Sequence, residues 1–174
     1  HICKEPKFIE VHRLSGFPGR SLDIGVVLDL MIHDIDIILG LIDSPIKRVE
    51  AVGINVLTKY EDIANVRLTF KNGCVANLTA SRISDESMRK IRIFLPHTYI
   101  SLDYKNEEAD IYRKDGEKIT KEAIWIKKEE PLKKELSSFL DCVIHKQRPL
   151  VSGIEGRQAL AVALHIQQLI WKKR

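Results

Sequence analysis

The most apolar stretch of the sequence, Gly25 to Ile42, is interrupted by four ionisable residues: Asp29, His33, Asp34 and Asp36. In a helix turning about 100° per residue, Asp29, His33 and Asp36 fall within about 60° of one another. Gly40 and Asp43 continue that stripe, and Asp34 alone points elsewhere. Charge without a partner is costly to bury, so the stripe must meet water, a ligand or its own members. It is expected to line a cleft. A carboxylate one turn before an imidazole can fix its tautomer, leaving the other ring nitrogen to exchange a proton near neutral pH. Alcohol oxidation needs such a group, because the hydroxyl loses its proton as hydride leaves the carbon. Three readings stay open on the residues alone. His33 is a structural histidine held by helix neighbours, or Asp29 and His33 form a catalytic or substrate-binding pair, or Asp29, His33 and Asp36 hold a metal. The metal reading lacks a second His or Cys at ligand spacing nearby.

The elements around the stripe can be read from periodicity. Residues 7–14 alternate as a strand, followed by a polar loop with Gly16, Pro18 and Gly19. The stretch 25–42 is too long for a strand and is expected to be one buried helix, ended by Asp43-Ser44-Pro45. A strand over 46–57 leads to a hairpin, ANVRLTF-KNG-CVANLTA. Only a three-residue turn, Lys71-Asn72-Gly73 with Gly73 left-handed, puts Ala64, Val66, Leu68 and Phe70 on the same face as Cys74, Ala76, Leu78 and Ala80. Strands are expected at about 88–95, 97–104 and 108–113, while alternation assigns nothing to the charged region 114–128. Two amphipathic helices close the chain, one over 131–146 and one opened by a Ser152–Glu155 capping box. An open, mainly antiparallel sheet with helices on one face is an α+β arrangement, and residues 1–174 are expected to form a single domain.

Composition narrows the function classes. The 174 residues are 44% hydrophobic and 30% charged, ordinary for a globular domain. Asp29, His33, Asp34 and Asp36 argue against a membrane span over 25–42, and the start, HICKEPKF, lacks the pattern of a secretory leader. Three scattered cysteines, Cys3, Cys74 and Cys142, suggest neither a disulfide framework nor a zinc site, so a cytoplasmic setting is expected. The net charge of +4 comes from basic pairs interleaved with glutamates, a solvated surface rather than a nucleic-acid face. There is no G-x-G-x-x-G, no Walker loop and no G-x-S-x-G.

The run GVVLDLMIHDIDIIL resembles a segment of the Gfo/Idh/MocA oxidoreductases, which reads approximately G-G-x-x-x-D-x-x-x-H-x-x-D; Gly25, Asp29, His33 and Asp36 match it in order and spacing. The strand FIEVHR, the NG hairpin and the run from Pro149 to Leu160 are also similar to that family's C-terminal domain. The resemblance implies the substrate-binding and oligomer-forming half of a two-domain dehydrogenase, with the Rossmann domain absent from this chain. It implies NAD or NADP, bound mainly by that other domain, and no metal. It makes His33 the acid/base or hydroxyl-binding residue and Asp29 its orienting neighbour and a contact to a sugar hydroxyl, with Asp36 supporting from behind. Arg13, His12 and Arg20 become candidate substrate contacts, and Arg82 a further one. The phrases EVHRLSGFPGRS and SRISDESMRKIRIF resemble bacterial members acting on UDP-N-acetylglucosamine, which implies a sugar or UDP-sugar substrate. Open sheets in this family pair between subunits, so a homo-oligomer through that face is expected. A non-catalytic assembly or ligand-sensing domain of the same fold is the alternative.

Overall fold

The computed structural model describes residues 5–19 and 22–172. Its strands are β1 (Phe8–Leu14), β2 (Ile46–Ile54), β3 (Ile63–Phe70), β4 (Val75–Ser81), β5 (Met88–Leu95), β6 (Thr98–Asp103), β7 (Glu108–Asp115) and β8 (Lys118–Ile124). They form one open sheet in the order β2-β3-β4-β1-β5-β6-β7-β8. The β1–β4 pair is parallel and every other pair antiparallel. The helices are α1 (Ile32–Leu41), α2 (Pro131–Ile144) and α3 (Gly153–Trp171), with a π-helical turn over Val27–Met31 running directly into α1.

The hairpin forms in the register that alternation selects. Leu68 faces Ala76, the Phe70 amide donates to the Cys74 carbonyl at 2.9 Å, and Gly73 has φ +84°. That φ lies where only glycine sits without strain. On its polar face Asn65 donates to Thr79 at 2.8 Å. The capping box is present too, the Ser152 side chain accepting from Ile154 and its backbone amide donating to Glu155.

One apolar cluster lies between the sheet and the helices. Ile9, Val66, Leu78 and Ile91 from the strands meet Val27, Ile35, Ile38, Ala163 and Ile166 from the helical side. Burying such side chains stabilises by about 1.5–3 kcal/mol each. Two features differ from the sequence expectation. Region 114–128 carries β8, which lies at the sheet edge with nearly all its residues exposed and so shows no alternation of burial. Helix α2 has the periodicity of a core helix, yet it contributes no buried residue.

Candidate active site

The helix bearing the ionisable stripe is anchored at its first residues. The Val26 amide donates to the Glu61 carbonyl at 3.0 Å, and the Arg82 guanidinium donates to the Ile24 carbonyl at 2.9 Å. Gly25 sits between these bonds against the Glu61 carboxylate. A Cβ on Gly25 would lie 1.9 Å from Glu61 Oε1, so any side chain there would displace the buried carboxylate. Both Glu61 oxygens are buried without a hydrogen-bond partner. They lie where the positive end of the helix dipole favours negative charge.

The chain then enters a turn that is wider than an α-helix. The Ile32 amide donates to the Val27 carbonyl, five residues back rather than four. Such π turns recur at functional sites. The wider turn changes the relation between Asp29, which lies inside it, and His33, which lies in α1. No hydrogen bond joins the two side chains among the described residues. The orienting contact expected from uniform helical spacing is therefore not made in this structure. His33 is exposed, while Asp29 and Asp36 are half-buried. All three are accessible from one helical segment whose other faces hold Val27, Met31, Ile35 and Ile38 in the core.

Asp34, the residue outside the stripe, is 3% exposed and takes both available bonds from Arg13. Arg13 Nε and Nη2 each lie 2.7 Å from an Asp34 carboxylate oxygen. Burial works against the Arg13 charge, but the hydrogen bonds and charge of Asp34 outweigh it and hold the guanidinium above its ordinary range. Nε and Nη2 are thus engaged inside the chain. Tyr104, which no sequence signal singled out, lies beside this pair. Burial first, and then the Asp34 charge, push its hydroxyl up, while Arg13 opposes them. A cavity of about 480 Å³ opens here, lined among others by Arg13, Ile37, Tyr104, Ile126, Pro131 and Lys134. A larger cleft of about 820 Å³ lies at the C-terminal end of α1, at Leu41–Asp43, where the stripe ends.

The other expected contacts part company. His12 neighbours Arg13, but successive strand residues point to opposite faces. Since Arg13 meets α1, His12 belongs to the helix-free face, in the row with Thr79 and Lys90. Arg82 is fully buried and cannot reach a substrate. Its Nε donates to Asp62 at 2.8 Å and its Nη2 to the Thr58 hydroxyl at 2.9 Å. Asp62 in turn accepts the backbone amides of Val56, Leu57 and Thr58 at 2.7–2.9 Å. Its basic type and its place at a strand end suggested a ligand contact; its position makes it a clamp on the helix start. Arg20 lies outside the described residues. Among the described residues, no three His, Cys, Asp or Glu side chains converge as a metal site, and no helix is long and apolar enough to cross a membrane.

Comparison with known proteins agrees with this architecture. The chain is 37% identical over 168 residues to UDP-N-acetylglucosamine 3-dehydrogenase of Acidithiobacillus ferrooxidans. The match covers 93% of this chain and 54% of that protein. The solved structure of UDP-N-acetylglucosamine 3-dehydrogenase GnnA from the same organism superimposes with a TM-score of 0.89 at 38% identity, over 95% of this chain and 54% of that one. A levoglucosan dehydrogenase in complex with NADH shares the fold at a TM-score of 0.86 and 13% identity, covering 98% of this chain and 57% of its own. The chain thus spans about half the length of the relatives it matches. Residues 10–99, just over half of the chain, match the family described as the GFO/IDH/MocA C-terminal domain, and the chain belongs to that family.

Proposed function

We propose that residues 1–174 are the substrate-side half of a nicotinamide-dependent dehydrogenase that oxidises a hydroxyl of a sugar, with the 3-hydroxyl of UDP-N-acetylglucosamine as the favoured target. The observation that carries this is the exposed imidazole of His33 on a segment whose remaining faces are buried. The 37% identity to an enzyme named for that substrate supports the choice of sugar.

In this reading His33 takes the proton of the reacting hydroxyl, since an imidazole is suited to proton exchange near neutral pH. Asp29 makes no side-chain hydrogen bond among the described residues and accepts one from a neighbouring sugar hydroxyl, fixing the ring relative to His33. Asp36 borders the same stripe from its half-buried place. A bound NAD or NADP supplies the hydride acceptor. Its site belongs to the part of the protein outside this match, because the described residues contain no glycine-rich strand-to-helix turn that would cradle a pyrophosphate. The free thiols of Cys74 and Cys142 suit a reducing cytoplasm.

The test is steady-state oxidation of UDP-N-acetylglucosamine by the full-length protein, followed by nicotinamide reduction. His33→Ala should lower kcat/KM by about 10²–10⁴. Wild-type turnover in that variant would overturn the acid/base role.

A second role, self-association, is favoured by the sheet face that carries no helix. Phe8, Phe94, Tyr99 and Tyr112 lie opposite one another on β1, β5, β6 and β7. Their rings form a continuous row, with Tyr99 and Tyr112 stacked at 4.2 Å. Such an aromatic row fits the same face of a second copy.

A further inference from the structure

The cavity of about 480 Å³ beside Arg13 begins one helical turn beyond His33. Ile37, on its wall, stands four residues after the imidazole on α1, about 6 Å along the axis and about 40° round it. Leu102 of β6, Ile126 and Pro131 add apolar lining, and Tyr104 adds an aromatic ring. That ring is held from its backbone. Tyr104 opens the turn between β6 and β7, and its amide donates to the Arg89 carbonyl at 2.8 Å. The Asp103 carboxylate accepts the next two amides, Lys105 at 3.0 Å and Asn106 at 3.1 Å, and the Asn106 side chain donates to it at 3.1 Å. The turn is thus pinned on both sides while Tyr104 stays 42% exposed. A flat ring presented in this way offers a planar ligand a stacking surface.

Charge decides which part of a nucleotide sugar suits the cavity. Four cations and four carboxylates line it, and Lys127 and Lys134 both pair with Glu129. The lining therefore carries no net charge, which is a poor match for a diphosphate and a good one for a neutral ring. Such a ring finds hydrogen-bonding groups here. Arg13 Nη1 has no hydrogen-bond partner among the described residues and can donate to a ring carbonyl, while the carboxylates can accept a ring N–H.

We infer that this cavity holds the pyrimidine base of the nucleotide sugar, stacked on Tyr104, with the hexose at His33 and the two phosphates bridging between them outside the cavity. This rests on the dehydrogenase reading and deepens it. Tyr104 then governs which nucleotide is taken without touching the reacting carbon.

The test is calorimetric titration of UDP into the full-length protein, with no nicotinamide and no turnover. Tyr104→Ala should weaken UDP binding by about ten-fold. Tyr104→Phe, which keeps the ring, should bind UDP within two-fold of wild type. Ile126→Trp, which fills the cavity from another wall, should weaken UDP as Tyr104→Ala does. UDP held equally well by wild type, Tyr104→Ala and Ile126→Trp would overturn the base pocket and leave the dehydrogenase reading standing, as would a loss in Tyr104→Phe as large as that in Tyr104→Ala. A wild type that binds no UDP would overturn the nucleotide and the pocket together, and oxidation of another sugar would still be open to His33.

Discussion

His33 and Asp34 are neighbours in sequence and opposites in environment, so substituting each separates a chemical role from a structural one. Asp34→Asn keeps the shape of the side chain and removes its charge. Two charge-assisted bonds from Arg13, each 2.7 Å long, lose that assistance. The guanidinium, with its side chain only 15% exposed, is left without a counter-charge. Breaking a buried pair by removing one partner costs about 3–5 kcal/mol. Arg13 borders the cavity beside Tyr104, where water can reach it, so the lower end, about 3 kcal/mol, applies. For a chain of this size that lowers Tm by about 6–12 °C. His33→Ala removes an exposed side chain without a hydrogen-bond partner among the described residues and should stay within about 0.5 kcal/mol of wild type. Paired urea titrations and thermal melts of the two variants measure both numbers. In the full-length enzyme the order reverses, with His33→Ala the slower catalyst. If His33→Ala melts as low as Asp34→Asn, the imidazole is a packing element and the argument for catalysis fails.

Two further outcomes are expected. Burial works against the Asp62 charge, but the three loop amides and Arg82 outweigh it and hold the carboxyl well below the usual range. A carboxylate depressed in the folded state adds stability above its unfolded value, near pH 4, and that contribution fades as pH falls further. Urea midpoints of wild type should thus drop between about pH 4 and pH 2, with Asp103, also depressed, contributing to the same limb; Asp62→Asn should be weaker at neutral pH and flatter in acid, and parallel curves would contradict this. On the open sheet face, Tyr99→Glu places a charge within the stacked row and should halve the mass seen by sedimentation equilibrium, and an unchanged mass would remove that face as the self-pairing surface.

The sequence disclosed what depends on local alternation and missed what depends on tertiary partners. The Lys71–Gly73 turn follows from keeping Leu68 and Ala76 on one face, a constraint carried by the residues themselves. The Ser152–Glu155 cap is equally local. Strand β8 was hidden because an exposed edge strand has no buried face to set a period. The π turn was hidden because equal rotation per residue was assumed across Val27–Met31. Arg13 and Arg82 have the chemistry of anion ligands, and nothing in their neighbours along the chain tells that Asp34 and Asp62 consume them. His12 could have been separated from Arg13 by alternation alone, since one strand cannot aim adjacent residues at the same cleft.

Taken together, these buried pairs would hold the exposed His33 for the acid/base role proposed for it. Proton transfer in an active site requires side chains held within about 0.5 Å by their surroundings. The His33 side chain has no hydrogen-bond partner among the described residues, so the backbone beneath it must supply the constraint. Arg82 fixes Ile24, the Glu61 carbonyl fixes Val26, and the Glu61 carboxylate fills the space that Gly25 leaves open. Nine residues on, Arg13 fixes Asp34 to the central strand. The stretch carrying Asp29 and His33 is therefore clamped at both ends, to β4 on one side and β1 on the other. Between the clamps lies the π turn. The two arginines thus hold the frame of this segment, on which His33 is exposed and Asp29 and Asp36 are half-buried.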